Sequence, residues 1–247
     1  MFIKKEDIEK WLASMDISSY FIRKNNVIDV QQNVKLKGKM KYIPVEFGII
    51  YGSFDCSDLG LLSLIGSPKE VNGNFLCQRN NLKTLKGAPE VVGEWFCCSY
   101  NKLKNLKHCP SIIYGDFTCS SNNLISLGAF PSILSGGFDC SGNELTVLDS
   151  VPDKILGLFD CSNNKLNSFS GFPLHIGSDL YFQSNNIDES KLLLFDTTIN
   201  GEIHSDFSES KQQFLEKIIQ MKISLEKNIL TQNLLLNKQI ITNKKRI

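Results

Sequence analysis

Several features that define other classes of protein are missing from this 247-residue chain. No run of apolar residues approaches the roughly 18 that cross a membrane, and charged residues stand where a signal peptide needs its apolar stretch. No Asn-x-Ser/Thr glycosylation site occurs. The formal net charge is only +1, without the basic excess of a nucleic-acid-binding protein. The sequence therefore predicts a cytoplasmic protein that binds neither nucleic acid nor membrane.

A disulfide framework and a metal site are also not expected, although the chain has eight cysteines. Six of them recur at a single step of 21 residues: Cys56, Cys77, Cys98, Cys119, Cys140 and Cys161. No Cys-x-x-Cys pair exists, and we interpret the six as reduced, small core side chains. Cys98 falls on a predicted strand, whereas His108 and Cys109 fall on the opposite return segment, so we expect no metal ligands to converge. No cofactor is predicted.

The rest of the sequence keeps the same 21-residue period. Phenylalanines precede the cysteines by two residues: Phe54, Phe75, Phe96, Phe117, Phe138 and Phe159. Leucines follow the cysteines by five residues: Leu61, Leu82, Leu103, Leu124, Leu145 and Leu166. A fixed period of this size is typical of a solenoid, in which each repeat packs only against its neighbours.

Each position of the repeat suggests a structural role. In residues 71–89, Phe75 and Cys77 alternate with Leu76 as in a short strand whose Phe and Cys point inward. Asn80 follows where the strand turns, and its carboxamide can pair with backbone groups there. Gly73 suggests positive φ or close backbone approach at the other corner. The proline that ends each repeat favours an extended return segment without a helix.

The core pattern F-x-C-x-x-N-x-L-x-x-L overlays the L-x-L-x-x-N-x-L pattern of leucine-rich repeats. The chain resembles leucine-rich-repeat proteins of the short, 20–21-residue type, in particular bacterial and tailed-phage proteins that repeat G-x-F-x-C-S-x-N-x-L-x-x-L-x-G-x-P. The resemblance covers roughly residues 36–187. It implies a parallel β-sheet with a concave face and a role in recognition.

The ends of the chain are predicted to close the solenoid. The predicted order is a helix–hairpin cap over residues 1–33, a degenerate first repeat over 34–50, the solenoid over 51–187, a connector over 188–207 and a helical extension over 208–247. Residues 188–210 carry one basic and six acidic side chains, whereas residues 211–247 carry eight basic and two acidic ones. An acidic connector thus precedes a basic helix, which either folds against the last repeat or pairs with a copy of itself.

The outward positions of the predicted sheet are mostly small or acidic, with one exception around Trp95. Exposed aromatic side chains on a rigid sheet are typical of anchors for a protein partner. The predicted partner-binding residues on the concave face are Trp95, Tyr100, Leu76, Cys97, Arg79, Thr118 and Asp116. By the same register, thiol reagents should label the native protein mainly at Cys97 and, to a smaller extent, Cys109.

No catalytic residues are predicted, because His108, His175 and His204 occupy unrelated positions without nucleophile partners. The function expected is non-catalytic binding of a protein through the concave face. One alternative is a structural or assembly subunit, for example of a phage particle, that self-associates through residues 208–243. Another is a bacterial effector acting on host proteins. The ubiquitin-ligase kind of repeat effector is not supported, since no cysteine follows Cys161.

Overall fold

The N-terminal end of the molecule is a helix followed by a hairpin, as the sequence predicts. The computed structural model describes residues 4–208 and 210–244, with side chains as far as residue 232. Helix α1 spans Lys5–Ser14 and buries Ile8 and Leu12 against the first coils. The ends of the predicted cap and extension, residues 1–3, 209 and 245–247, lie outside the described residues.

The described chain then contains many short strands, most of them two residues long, because each coil has to turn several times within 21 residues. In chain order they are β1 Tyr20–Ile22, β2 Val27–Val30, β3 Val34–Lys35, β4 Glu46–Ile50, β5 Phe54–Asp55, β6 Glu70–Val71, β7 Phe75–Leu76, β8 Val91–Val92, β9 Phe96–Cys97, β10 Ile112–Ile113, β11 Phe117–Thr118, β12 Ile133–Leu134, β13 Phe138–Asp139, β14 Lys154–Ile155, β15 Phe159–Asp160, β16 His175–Ile176, β17 Leu180–Tyr181, β18 Thr198–Ile199 and β19 Ile203–His204.

One parallel sheet runs along the whole array. It joins every odd-numbered strand from β3 to β19, and its register is the repeat itself, with Phe75 opposite Phe96 and Phe96 opposite Phe117. About eight coils stack in this way, so the predicted solenoid is confirmed. We call the outward side of this sheet the nine-stranded face.

The return segments form further parallel ladders and not merely an extended connection. A second sheet joins β1, β2, β4, β6, β8, β10 and β12, and a third joins β14, β16 and β18. The antiparallel β1–β2 hairpin begins the second sheet and places Tyr20 opposite Val30. Within the described chain no strand pairing joins β12 to β14, so this side of the solenoid is interrupted where the nine-stranded sheet continues.

Phenylalanine and cysteine fill the core as the period predicts. The six phenylalanines of the repeat are fully buried, and the ring centroids of successive ones lie 5.2–6.0 Å apart. The six cysteines of the repeat are equally buried and unpaired. Burial raises the pKa of all six thiols. A large and a small side chain therefore alternate in every layer, an arrangement that favours dense packing of a narrow interior.

The corner glycines serve close packing rather than positive φ. A Cβ atom on Gly115 would lie 2.6 Å from the carbonyl carbon of Glu94, so a side chain cannot fit there. Left-handed backbone instead recurs one residue before the asparagine position of the repeat, which Leu59 occupies in the first of these coils. Its members are Asp58, Arg79, Tyr100, Ser121, Gly142, Asn163 and Ser184.

The far end of the solenoid is closed by a helix. Strands β18 and β19 lie within the predicted connector and pair with β16 and β17, next to a 3₁₀ helix at Glu189–Leu194. Helix α2 spans Lys211–Lys244, and the Ser210 hydroxyl accepts a hydrogen bond from the backbone N–H of Gln213 at 3.3 Å. Its first turns bury Phe214 and Ile218 against the last coils.

Candidate protein-binding surface

The nine-stranded face carries one outward side chain per strand, in register. From β5 to β19 these side chains are Asp55, Leu76, Cys97, Thr118, Asp139, Asp160, Tyr181 and His204. The predicted partner-binding residues lie on the β7, β9 and β11 strands of this row and on the corners beside them. The parallel register brings these residues together, because equivalent positions of neighbouring strands lie about 4.8 Å apart.

Trp95 lies at the edge of this face, immediately before β9, and is held in place by polar contacts. Its side chain is 38% exposed. The indole Nε1 donates a hydrogen bond to the Thr118 hydroxyl at 2.8 Å, and the backbone N–H of Trp95 donates to Asn74 Oδ1 at 2.9 Å. A partner would meet an aromatic surface whose orientation is already fixed, so that little rotamer freedom is lost on binding.

Tyr100 and Arg79 form a second exposed group on the neighbouring corner. Tyr100 is 54% exposed, and the Arg79 guanidinium lies 4.9 Å from the centroid of its ring, within range of a cation–π contact. Both residues have left-handed backbone, with φ of 56° at Arg79 and 55° at Tyr100. The strand corner therefore projects these two large side chains outward from consecutive coils.

The predicted exposure of Cys97 is wrong. The side chain points to the outward side of β9, yet it is only 3% exposed. Leu76 and Thr118 flank it in register, and Trp95, two residues earlier on the same side, reaches across to Thr118. The thiol lies 3.7 Å from the Ser99 hydroxyl, and burial raises its pKa. Cys97 thus forms the floor of the surface, and Cys109, partly exposed with a pKa raised by burial to about 11, is the more accessible thiol.

The other predicted residues surround Trp95. Leu76 and Thr118 are half-buried, whereas Arg79 and Asp116 are exposed. Asp116 accepts a hydrogen bond from the Gly137 N–H through Oδ1 at 2.6 Å. Next to it lies a depression of about 260 Å³, lined by Asp116, Phe117, Thr118, Gly137, Phe138, Asp139 and Leu158. Thr118 accepts the hydrogen bond of the Trp95 indole and also lines this depression. Trp95 and the depression therefore form one continuous surface.

The acidic row beyond Thr118 is ordered by contacts that the predicted small and acidic outward positions did not reveal. Asp139 and Asp160 are paired in register, and each accepts a hydrogen bond at 2.9 Å from the backbone N–H two residues on. Burial and then the charge of Asp139 raise the pKa of Asp160, against the hydrogen bonds from Ser162. The signal was present in the sequence as repeated aspartates at one position, each followed two residues later by serine.

The row ends in an aromatic stack at the last two strands of the sheet. The Tyr181 and His204 rings are stacked with centroids 4.0 Å apart and planes 6° apart. His204 lies outside the 21-residue period, so the repeat pattern gave no reason to place it beside Tyr181. The carboxylates of Asp139 and Asp160 therefore lie between the Trp95 region at β9 and the aromatic stack at β17 and β19.

The fold and this surface define a parallel β-solenoid whose outward sheet face carries fixed aromatic and acidic side chains. No protein-family model matches the chain, and neither a curated protein nor a solved structure matches it. In the described ranges no group of three or more His, Cys, Asp or Glu is arranged to hold a metal ion. Among the helices described, none is sufficiently long and apolar to cross a membrane.

Proposed function

We propose that this protein is a non-catalytic, cytoplasmic binding module that recognises a protein partner through the nine-stranded face around Trp95 and Tyr100. The observation that carries the proposal is that both aromatic side chains are exposed and yet fixed, Trp95 by Thr118 and Tyr100 by Arg79. Aromatic anchors next to a depression are the usual centres of binding energy in protein interfaces. The resemblance to leucine-rich repeats supports the same role.

The charges beside the anchors favour a partner segment with a basic residue. Asp116 and Asp139 border the depression, and each uses only one carboxylate oxygen for the backbone contact described above. The second oxygen of each remains available to accept from an incoming lysine or arginine. A segment that places an apolar side chain on Trp95 and a cationic side chain near Asp116 would contact both the aromatic and the acidic part of the surface.

The test begins with a tagged pull-down from the native cytosol and continues with the affinity of the captured partner. Trp95→Ala and Tyr100→Ala should each weaken binding by about 2 kcal/mol or more, some thirtyfold in Kd, while circular dichroism and thermal unfolding stay close to wild type. Tyr114→Ala is the matched control, because Tyr114 is similarly exposed but follows β10 in the second sheet. Full-strength binding by the Trp95→Ala, Tyr100→Ala double variant would refute the proposal.

A further inference from the structure

Helix α2 is much longer than the closure of the solenoid requires. The contacts with the body come from its first turns, where the Phe214 ring lies 5.1 Å from Phe195 and Lys217 pairs with Glu189 at 2.6 Å. From residue 222 to residue 232 every side chain is exposed. At 1.5 Å per residue, the 34-residue helix is about 51 Å long, and roughly 34 Å of it lies beyond residue 221.

An apolar stripe follows this helix on the side opposite its buried face. Ile219, Ile223 and Leu230 are spaced by four and seven residues, and at 100° per residue they lie within about 40° of one another. Phe214 lies roughly 140–180° away on the same helix. The body that covers Phe214 comes close only to Ile219, which borders a depression beside residues 195–198. Ile219 is 53% exposed and Leu230 62% exposed. An exposed helix of a soluble protein normally carries polar residues at such positions.

We propose that this stripe pairs with the same stripe of a second copy of the chain, with the two helices antiparallel. A second copy supplies an identical apolar surface with the same spacing, which is the requirement for a two-fold interface. The spacing of four and seven residues is that of a two-stranded seam, and Glu226 falls within the seam between Ile223 and Leu230.

The charges and the attached bodies select the antiparallel arrangement. A parallel pair in register would place the two Glu226 carboxylates against each other inside the seam. In an antiparallel pair each Glu226 instead approaches Lys222 or Lys227 of the other helix. A parallel pair would also bring two complete solenoids together at the same end of helices whose axes lie only about 8–10 Å apart. The antiparallel pair separates the bodies at opposite ends.

The association is tested by sedimentation equilibrium on the full chain. Wild type should show a species of twice the 27.8 kDa chain mass. Ile223→Glu with Leu230→Glu should weaken the association at least tenfold. The matched control is Ser224→Glu with Thr231→Glu, which adds the same charges with the same spacing one residue further on, at exposed positions off the stripe. Control and wild type should associate equally, and Trp95→Ala should leave the association unchanged.

The orientation is tested by the distance between spin labels attached at Gln212→Cys in a Cys109→Ser background. An antiparallel pair places the two labels about 40 Å apart or more, whereas a parallel pair places them within about 20 Å. A chain that stays monomeric at every concentration, or equal weakening by the stripe and control variants, would overturn the proposal. A short label distance would overturn the antiparallel arrangement.

Discussion

An asparagine follows five of the six core cysteines by three residues and links two coils through a single side chain. Asn122 donates through Nδ2 to the carbonyl oxygens of Cys98 at 3.1 Å and Cys119 at 3.0 Å. Its Oδ1 accepts from the backbone N–H of Leu103 at 3.1 Å. These backbone groups lie where strands end and would otherwise be buried without partners. The same contacts recur at every asparagine of the row, so the ladder is a property of the repeat.

We expect Asn122→Ala to lower the free energy of unfolding by roughly 1–3 kcal/mol, because three backbone groups lose their buried partner. Asn123→Ala is the matched control, since Asn123 is exposed and one residue further along the same corner. Its cost should stay within about 0.5 kcal/mol. Thermal and urea unfolding of both variants measure the difference, and equal shifts would contradict the assignment of roles.

At this scale the sequence predicted which side chains point inward but not how well the outward ones are covered. Strand alternation correctly assigned Phe96 and Cys98 to the interior. The exposure of Cys97 depends on the Trp95 side chain, which is hydrogen-bonded to Thr118 on the next coil. The two residues are 23 positions apart in the sequence, so strand alternation could not predict this contact. The left-handed corners were also missed, because Arg79 and Tyr100 are not residue types that favour positive φ. In that row only Asp58, Gly142 and Asn163 are such types.

The two ends of the solenoid are closed by different elements. At the C-terminal end the Lys211 ammonium donates to the carbonyl oxygen of Ile199 at 2.7 Å, which occupies a backbone acceptor on the last strand of the third sheet. Phe214 then packs against Phe182 and Phe195, with ring centroids 5.7 Å and 5.1 Å away. The beginning of α2 thus covers apolar surface and blocks a strand edge that would otherwise be open to another chain.

Phe214→Ala should therefore destabilise the last coils by about 3–5 kcal/mol, the usual cost of removing a buried phenylalanine. Leu215→Ala serves as the control, because Leu215 is the next residue on the same helix and is exposed. Hydrogen exchange should speed up over residues 176–204 in the Phe214 variant and remain slow over the central coils. Unchanged exchange in the last coils would show that α2 does not close the solenoid.

From β6 onward, the strands of the second and third sheets were predicted only as extended return segments. A signal for them exists in the sequence, since apolar residues recur four positions before each phenylalanine of the repeat, at Ile50, Val71, Val92, Ile113, Leu134 and Ile155. The proline at the end of each repeat pointed to extended backbone but gave no information about pairing between coils. Whether two-residue segments pair depends on how neighbouring coils are aligned, and the nine-stranded sheet sets that alignment.

Across the whole molecule the coils are joined unequally. The nine-stranded sheet is continuous, but the second sheet ends at β12 and the third begins at β14. Near this break Leu134 is only half-buried, whereas Ile113 and Ile155 at the equivalent positions are buried. In the coil that ends at β12, Phe130 packs edge-on to Phe138 with centroids 4.9 Å apart. Fewer backbone hydrogen bonds therefore hold the coil of β14 to the coil of β12.

The reactivity of the six core cysteines can measure how easily each coil opens, because each of these coils contains one buried thiol. Cys98 and Cys161 are both fully buried, and burial raises the pKa of both, so neither reacts until its coil opens.

In urea below the unfolding transition, a thiol reagent should modify Cys161, which lies beyond the break, before Cys98, which lies in the continuous part of both sheets. Peptide mapping by mass spectrometry gives the rate at each site, and Cys109 provides the rate of a partly exposed thiol. If Cys98 and Cys161 react at the same rate, the solenoid opens as one cooperative unit and the interruption of the second sheet has no energetic consequence. A faster reaction at Cys161 shows that the stability of each coil depends on how many ladders join it to its neighbours.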